Sequence, residues 1–331
     1  MGRPTSQFLD TTIIIETYNL AEGADFDRLR HVLDYADCLR RHRLGVEVML
    51  ADASDADGPS DMALARLTLN YPKLRVLRVP GAGYEGIKHA AAEAARTRYI
   101  AYIDGDCLPR DDNWIDRLLA PLQAGEAGAV TGTTIYEGAS LWSQVLSVMD
   151  FGYALESVGG PIGCYSSNNV AFDRATRLAT PAPGGPIRCS CFAHTGLLKQ
   201  MGSEVIHESR AVVGHELPDF FSERVRRGYD LVAVCWVDRH LREARWLRLG
   251  PLAAPLFYGQ NVAIDWRRMK MARQRFGWKT GARLWAFALP PLIRMVDLVG
   301  ILRALTLGPS RKWSAYGAVA PLPAAARPGG Q

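Results

Sequence analysis

Over its first 140 residues the chain alternates short unbroken apolar runs with stretches whose apolar positions recur every three to four residues. Thr12–Tyr18 (TIIIETY) is a β-branched run of the kind that forms a strand buried on both faces, and Asp25–Arg41 behind it has helical spacing. Val46–Ala51 repeats the strand signal and stops at Asp52, followed by the turn-forming ASDADGPS. Met62–Leu69 reads as helix and Leu74–Val79 as strand; Ile87, Ala91 and Ala94 lie on one stripe of a helix from about Tyr84 to Arg98, and Tyr99–Ile103 is a fourth strand. This order predicts a mainly parallel sheet covered on both faces, which binds ligands outside the carboxyl ends of its strands. Glu16, Asp52 and the pair Asp104 and Asp106 fall at such ends.

Asp104-Gly105-Asp106 is the main chemical signal. The glycine permits a tight turn, so two carboxylates converge on one hard cation, whose remaining positions water and phosphate oxygens would fill. Taken alone, the triplet reads equally well as a polar turn after a strand.

Its context is more specific. IIIETYN, then LADAS, then GYEGIKHAAAEAARTRYIAYIDGDC resembles glycosyltransferase family 2 over roughly residues 12 to 230. The resemblance implies a GT-A-type fold, a mainly parallel mixed sheet flanked by helices, and a nucleotide-sugar donor, with UDP-sugars favoured. The family pattern falls on Tyr18, Asn19, Asp52, Lys88, Asp104 and Asp106. It implies that Asp52 accepts hydrogen bonds from the nucleoside, that Asp104 touches ribose or metal, and that Asp106 ligates Mn²⁺ or Mg²⁺ bridging the two phosphates. Such a cation neutralises the charge of a departing nucleoside diphosphate. Lys88 would add a positive point charge; a solvated surface lysine is the plainer alternative. Glu16 stands where the family commonly has proline, and is either a further donor-site residue or a support for the next loop.

In the second half, Ser140–Leu155 reads as helix, and Cys164–Phe172 (CYSSNNVAF) resembles the family segment lining the acceptor pocket. This makes Asn168 and Asn169 candidates for binding acceptor hydroxyls, against ordinary asparagine turn chemistry. Glu204–His215 ends as a strand on Ala-Val-Val-Gly-His, a pattern by which the resemblance makes His215 a metal ligand, with His240 its competitor. An inverting transfer also needs a carboxylate base. The family's acidic pair would fall near Cys189–His194, yet no carboxylate lies between Asp173 and Glu204. Glu216 and Asp219 are the nearest acids, and the choice between them stays open.

Composition sharpens this picture at the C-terminal end. The net charge is +5, but residues 239–312 hold 12 Arg and 3 Lys against Glu243, Asp265 and Asp297, a local balance of +12 that leaves −7 for the remainder. An acidic catalytic core suits a divalent cation and argues against nucleic acid. Trp246, Trp266, Trp278 and Trp285 are interleaved with the bases, and Leu284–Leu307 is apolar but interrupted by Pro290-Pro291, Arg294, Asp297 and Arg303. The pattern is read as an amphipathic helical extension rather than a clean membrane span, with three roles open: contact with an anionic membrane, a cap on the core, or self-association. The domains expected are a catalytic unit over 1–238 (donor half about 10–136, acceptor half about 137–238), a basic helical region over 239–317 and a disordered tail over 318–331. MGRPTSQFLD lacks an apolar core and six cysteines form no disulfide framework, so the expected location is cytoplasmic; Cys189-Ser190-Cys191 reads as ordinary thiols rather than a zinc site. The alternatives to a transferase are a degenerate binding module of the same fold and, less favoured, a nucleotidyltransferase, which would want a glycine-rich phosphate loop that NLAEGADF does not provide.

Overall fold

The computed structural model describes residues 9–17, 26–53, 60–155, 159–182, 191–237, 239 and 241–308. Among them, nine strands form one sheet in the order β3-β2-β1-β4-β8-β6-β9-β5, with β7 paired to β9. The first half alternates β1 (Thr11–Glu16), α1 (Phe26–His42), β2 (Val46–Asp52), α2 (Ser60–Asn70), β3 (Arg75–Arg78), α3 (Tyr84–Ala94) and β4 (Tyr99–Asp104), and these four strands pair in parallel. Ile13, Ile15, Val48 and Leu50 pack into the core on one sheet face while Ile14, Met49 and Ala51 pack on the other, which is why the strands read as unbroken apolar runs.

The sheet continues through β5 (Cys107–Pro109), α4 (Trp114–Gln123), β6 (Ala129–Tyr136), α5 (Leu141–Leu155), β7 (Gly160–Pro161), β8 (Asn169–Asp173), α6 (Arg174–Ala179), α7 (Cys191–Gln200) and β9 (Val205–His215). β8 runs antiparallel between β4 and β6, β9 lies parallel to β6, and β5 pairs antiparallel with the end of β9. The sheet is therefore mixed, its parallel half carrying the strand ends singled out by the sequence.

The described residues finish with α8 (Phe220–Val237), a 3₁₀ segment (Arg242–Ala253), α9 (Ala254–Phe276) and α10 (Thr280–Leu307). The apolar run LVAVCWV is the end of α8. α10 packs closely on α8: a Cβ on Gly300 would lie 1.8 Å from the Val225 carbonyl oxygen, and one on Gly228 1.9 Å from that of Asp297, so backbone meets backbone. Pro290 and Pro291 do not break the helix: α10 runs through both as one 28-residue element. A proline at 291 cannot donate to the Phe287 carbonyl, and the Trp266 indole N–H of α9 does so instead at 2.9 Å.

Buried charge ties these helices to the catalytic half. Arg294 of α10 is held by Asp265 of α9 (2.7 Å) and Asp297 (2.6 Å), and Arg224 of α8 by Asp150 of α5 (2.6 Å). Burial alone would raise the Asp150 carboxyl, but Arg224 and Arg227 outweigh it and hold it below the usual range. Burial likewise raises Asp265 and Asp297, and Arg294 opposes it. Asp297 of α10 also faces Arg224 at 3.5 Å, which ties the C-terminal region to α8. Cys191 is disulfide-bonded, which corrects its reading as an ordinary thiol, whereas Cys107 and Cys235 are free and buried.

Candidate active site

The carboxyl ends of β1, β2 and β4 set three acids side by side. Glu16 is in register with Asp104, and the Glu16 carbonyl accepts from the Gly105 N–H at 2.8 Å, which fixes the start of the Asp-Gly-Asp turn. Asp52 closes β2, its carboxylate accepting from the Thr17 hydroxyl at 2.8 Å and facing Arg78 at 3.3 Å. Glu16, Asp52 and Asp104 are all buried.

Asp104 is anchored by α3, where Tyr84 and Lys88 stand one turn apart on the same face. The Tyr84 hydroxyl donates to Asp104 (3.1 Å to Oδ2), and Lys88 Nζ donates to Asp104 Oδ1 (3.0 Å), Tyr84 Oη (2.7 Å) and the Ser167 carbonyl (2.8 Å). Burial, with the Asp104 charge beside it, pushes the Tyr84 phenol well above its ordinary value, so it stays an O–H donor. Neither expectation for Lys88 matches this geometry. It is 3% exposed, so it is no surface lysine, and its three N–H groups are spent inside the protein rather than on a ligand.

Asp106 and His215 are 109 positions apart in sequence and meet because β5 pairs with β9, Cys107 opposite His215. The Glu216 N–H donates to the Asp106 carbonyl at 3.1 Å, and Arg28 of α1 reaches the carbonyls of Asp106 (3.4 Å) and Gly214 (3.3 Å) while pairing with Glu137 (2.7 Å). His215 Nε2 then lies 3.6 Å from Asp106 Oδ2, and its Nδ1 sits 2.6 Å from the Glu216 carbonyl. A carbonyl only accepts, so Nδ1 carries a proton and Nε2 is the ring atom that faces Asp106. Asp106, Cys107 and His215 bring their ligand-type atoms within 4.8 Å of one another. Cys107 Sγ donates to Asp106 Oδ1 at 3.6 Å, and a hard cation prefers the carboxylate and imidazole.

These groups open onto a cavity of about 670 Å³ that gathers Asp104, Asp106, Asn168, His215, Glu216 and Asp219. Asn168 lines it with its Oδ1 held by the Thr134 hydroxyl at 2.9 Å. Asn169 does not reach it. Its amide accepts from the Trp114 indole (2.8 Å) and donates to the carbonyls of Thr133 (3.1 Å) and Ala211 (3.0 Å), which corrects the acceptor-binding expectation: this side chain stitches β6, β8 and β9 together. Gly132 leaves room for it, since a Cβ there would sit 2.4 Å from the Asn169 amide nitrogen. Asp219 caps α8, its Oδ1 accepting from the Ser222 N–H at 2.9 Å, and that bond holds its carboxyl below the usual range. Glu216 is exposed at the end of β9. Tyr18, Asn19 and His240 lie outside the described residues.

Sequence reasoning missed Arg28, whose only local mark is a basic position in an amphipathic helix, and missed that Arg268 and Arg294 of the C-terminal helices line the same cavity.

Residues 12–176 match the family model Glycosyl transferase family 2. No curated protein matches the chain in sequence. Among solved structures, a mannosyltransferase from Pyrobaculum calidifontis in complex with GDP-Man and Mn²⁺ superimposes with a TM-score of 0.54 at 17% identity, covering 90% of this chain and 88% of that one. GalNAc-T7 with UDP, GalNAc and Mn²⁺ gives a TM-score of 0.46 at 14% identity, over 64% of this chain and 45% of that one. The matched segment contains β1 to β8 and the Asp-Gly-Asp turn, and β9 and α8 follow it in the chain. This chain is a glycosyltransferase of family 2 with a GT-A fold.

Proposed function

We propose that the chain moves a sugar, with inversion, from a nucleoside-diphosphate-sugar to a hydroxyl acceptor, using Mn²⁺ or Mg²⁺ held by Asp106 and His215. The observation that carries this reading is the approach of His215 Nε2 to Asp106 Oδ2 at 3.6 Å on the cavity wall. An imidazole oriented by a carbonyl on Nδ1, with Nε2 beside a carboxylate, is a donor set that suits Mn²⁺ and admits Mg²⁺. When bound there, the cation supplies neutralisation of the charge on the leaving nucleoside diphosphate. The GDP-Man and Mn²⁺ carried by the Pyrobaculum calidifontis enzyme, which shares the fold, support a nucleotide-sugar donor and leave GDP- and UDP-sugars both in play.

Asp52 and Glu16 receive the nucleoside, with Asp104 between them and the cation. Lys88 and Tyr84 hold the Asp104 carboxylate in place through their hydrogen bonds without touching the donor. Asn168 binds an acceptor hydroxyl. Glu216 takes the proton from that hydroxyl as its oxygen attacks the anomeric carbon. It is favoured over Asp219 because Asp219 is committed to the α8 cap and held below the usual carboxylate range, which makes it a weak base.

Transfer from a panel of UDP- and GDP-sugars in Mn²⁺ tests the assignment. Glu216→Gln should lower kcat by about 10²–10⁴ with donor affinity retained. Asp219→Ala should keep turnover while losing about 1 kcal/mol of stability. Parental turnover in Glu216→Gln would remove Glu216 from the mechanism.

A further inference from the structure

The inner face of α10 is occupied by Ile293, Arg294, Asp297, Gly300, Ile301 and Ala304, all buried against its neighbours. Its outer face is a second stripe. Trp285, Leu292 and Val299 stand seven residues apart, and Ala288, Met295 and Leu302 each follow one of them by three, so all six share one face of the helix. Trp285 is 62% exposed, Leu292 57%, Met295 58%, Val299 49% and Leu302 43%. Trp266 of α9, 45% exposed, reaches over to α10 through its bond to the Phe287 carbonyl and widens the stripe.

The charges around this stripe have one sign. Residues 254–307 contain nine Arg and Lys but only two acids, Asp265 and Asp297, and both acids are fully buried against Arg294. The charge shown to solvent by α9 and α10 is therefore entirely basic, with Arg267, Lys270, Arg283 and Arg303 exposed. A second copy docking through this face would set basic rim against basic rim with no acid to offset it. An anionic lipid surface offers both complements at once, acyl chains for the Trp and Leu positions and phosphates for the rim.

We propose that the outer face of α10, flanked by the basic positions of α9, is the surface by which this protein docks on an anionic lipid bilayer. Among the described residues, α10 is long and apolar enough to cross a membrane by length and composition. It lies on the bilayer rather than across it, because its inner face is locked onto α8 at Gly228 and Gly300 and holds Arg294 and Asp297 within the protein. The same helix gives Arg294 to the catalytic cavity, so docking sets the cavity about one helix diameter, roughly 10 Å, from the lipid surface.

Flotation of the full chain with vesicles of phosphatidylcholine, alone or mixed in equal parts with phosphatidylglycerol, tests the proposal without using transfer activity, so it stands or falls apart from the proposed reaction. The chain should float with the mixed vesicles and not with the neutral ones. Leu292→Glu/Val299→Glu should abolish flotation, and Arg283→Gln/Arg303→Gln should lower the partition coefficient about 30-fold, about fivefold per charge, each with unchanged melting temperature. No flotation of the parent, or flotation unaffected by Leu292→Glu/Val299→Glu, would overturn the proposal. So would a parent dimer that this variant converts to monomer, which would make a second copy the occupant.

Discussion

Replacing Lys88 by methionine separates a residue that organises the site from one that contacts the donor. Lys88 Nζ serves Asp104, Tyr84 and the Ser167 carbonyl at 2.7–3.0 Å, and both Lys88 and Asp104 are almost fully buried. Methionine keeps the length of the stem and removes the charge, leaving the Asp104 carboxylate to Tyr84 as its remaining named donor. Breaking one partner out of a buried pair costs about 3–5 kcal/mol, because the other charge stays behind in a poorly solvating place. At about 2–4 °C per kcal/mol for a chain of this class, melting should fall by about 10 °C. The double variant Lys88→Met/Asp104→Asn should cost less than the two single changes together, with a coupling of about 1.5 kcal/mol or more. Differential scanning calorimetry of the four proteins reads both quantities. A Lys88→Met protein that melts with the parent but binds nucleoside diphosphate more weakly would refute this reasoning and return Lys88 to the donor site.

Two further outcomes follow from groups away from the cavity. His194 donates from Nε2 to the Thr180 carbonyl and meets the Tyr165 hydroxyl through Nδ1, and burial followed by the Arg177 charge lowers its pKa to about 3. The unfolded chain therefore binds the extra proton first, so stability contributed by this group is present above about pH 6.5 and is lost toward pH 3 at about 1.4 kcal/mol per unit; urea midpoints of His194→Gln should lack that acid limb, and an identical pH profile would contradict it. Gly300→Ala should separate α10 from α8 and cost about 3 kcal/mol, since the added Cβ would meet the Val225 carbonyl at 1.8 Å; a cost below about 0.5 kcal/mol in the same assay would mean the two backbones are not in contact.

Much of the parallel half was legible because its strands are buried on both faces, so each shows as an apolar run ending on an acid: Ile13–Ile15 before Glu16, Met49–Ala51 before Asp52, Ile100–Ile103 before Asp104. The acceptor half resisted for a different reason. β5 is three residues, Cys107–Pro109, too short to show a period, yet its pairing with β9 is what sets Asp106 beside His215. Side-chain identity also failed to reveal direction. Asn168 and Asn169 are adjacent and alike, but Asn168 belongs to the turn before β8 and lines the cavity, while Asn169 opens the strand and disappears into the sheet. The basic C-terminal helices announced their charge, but the buried acids that join α9 to α10 and α10 to α8, and the indole that carries α10 through Pro291, are contacts between segments that no local pattern encodes.

The central claim is that Asp106 and His215 hold the cation that binds the donor's diphosphate. Calorimetric titration of GDP and of UDP into the parent protein and into Asp106→Ala, each with and without Mn²⁺, addresses it directly. The account predicts that Mn²⁺ strengthens binding of at least one of the two nucleotides tenfold or more in the parent, about 1.4 kcal/mol, and has no effect in Asp106→Ala. Equal affinity with and without Mn²⁺ in the parent, or Mn²⁺-dependent binding that survives Asp106→Ala, would contradict it.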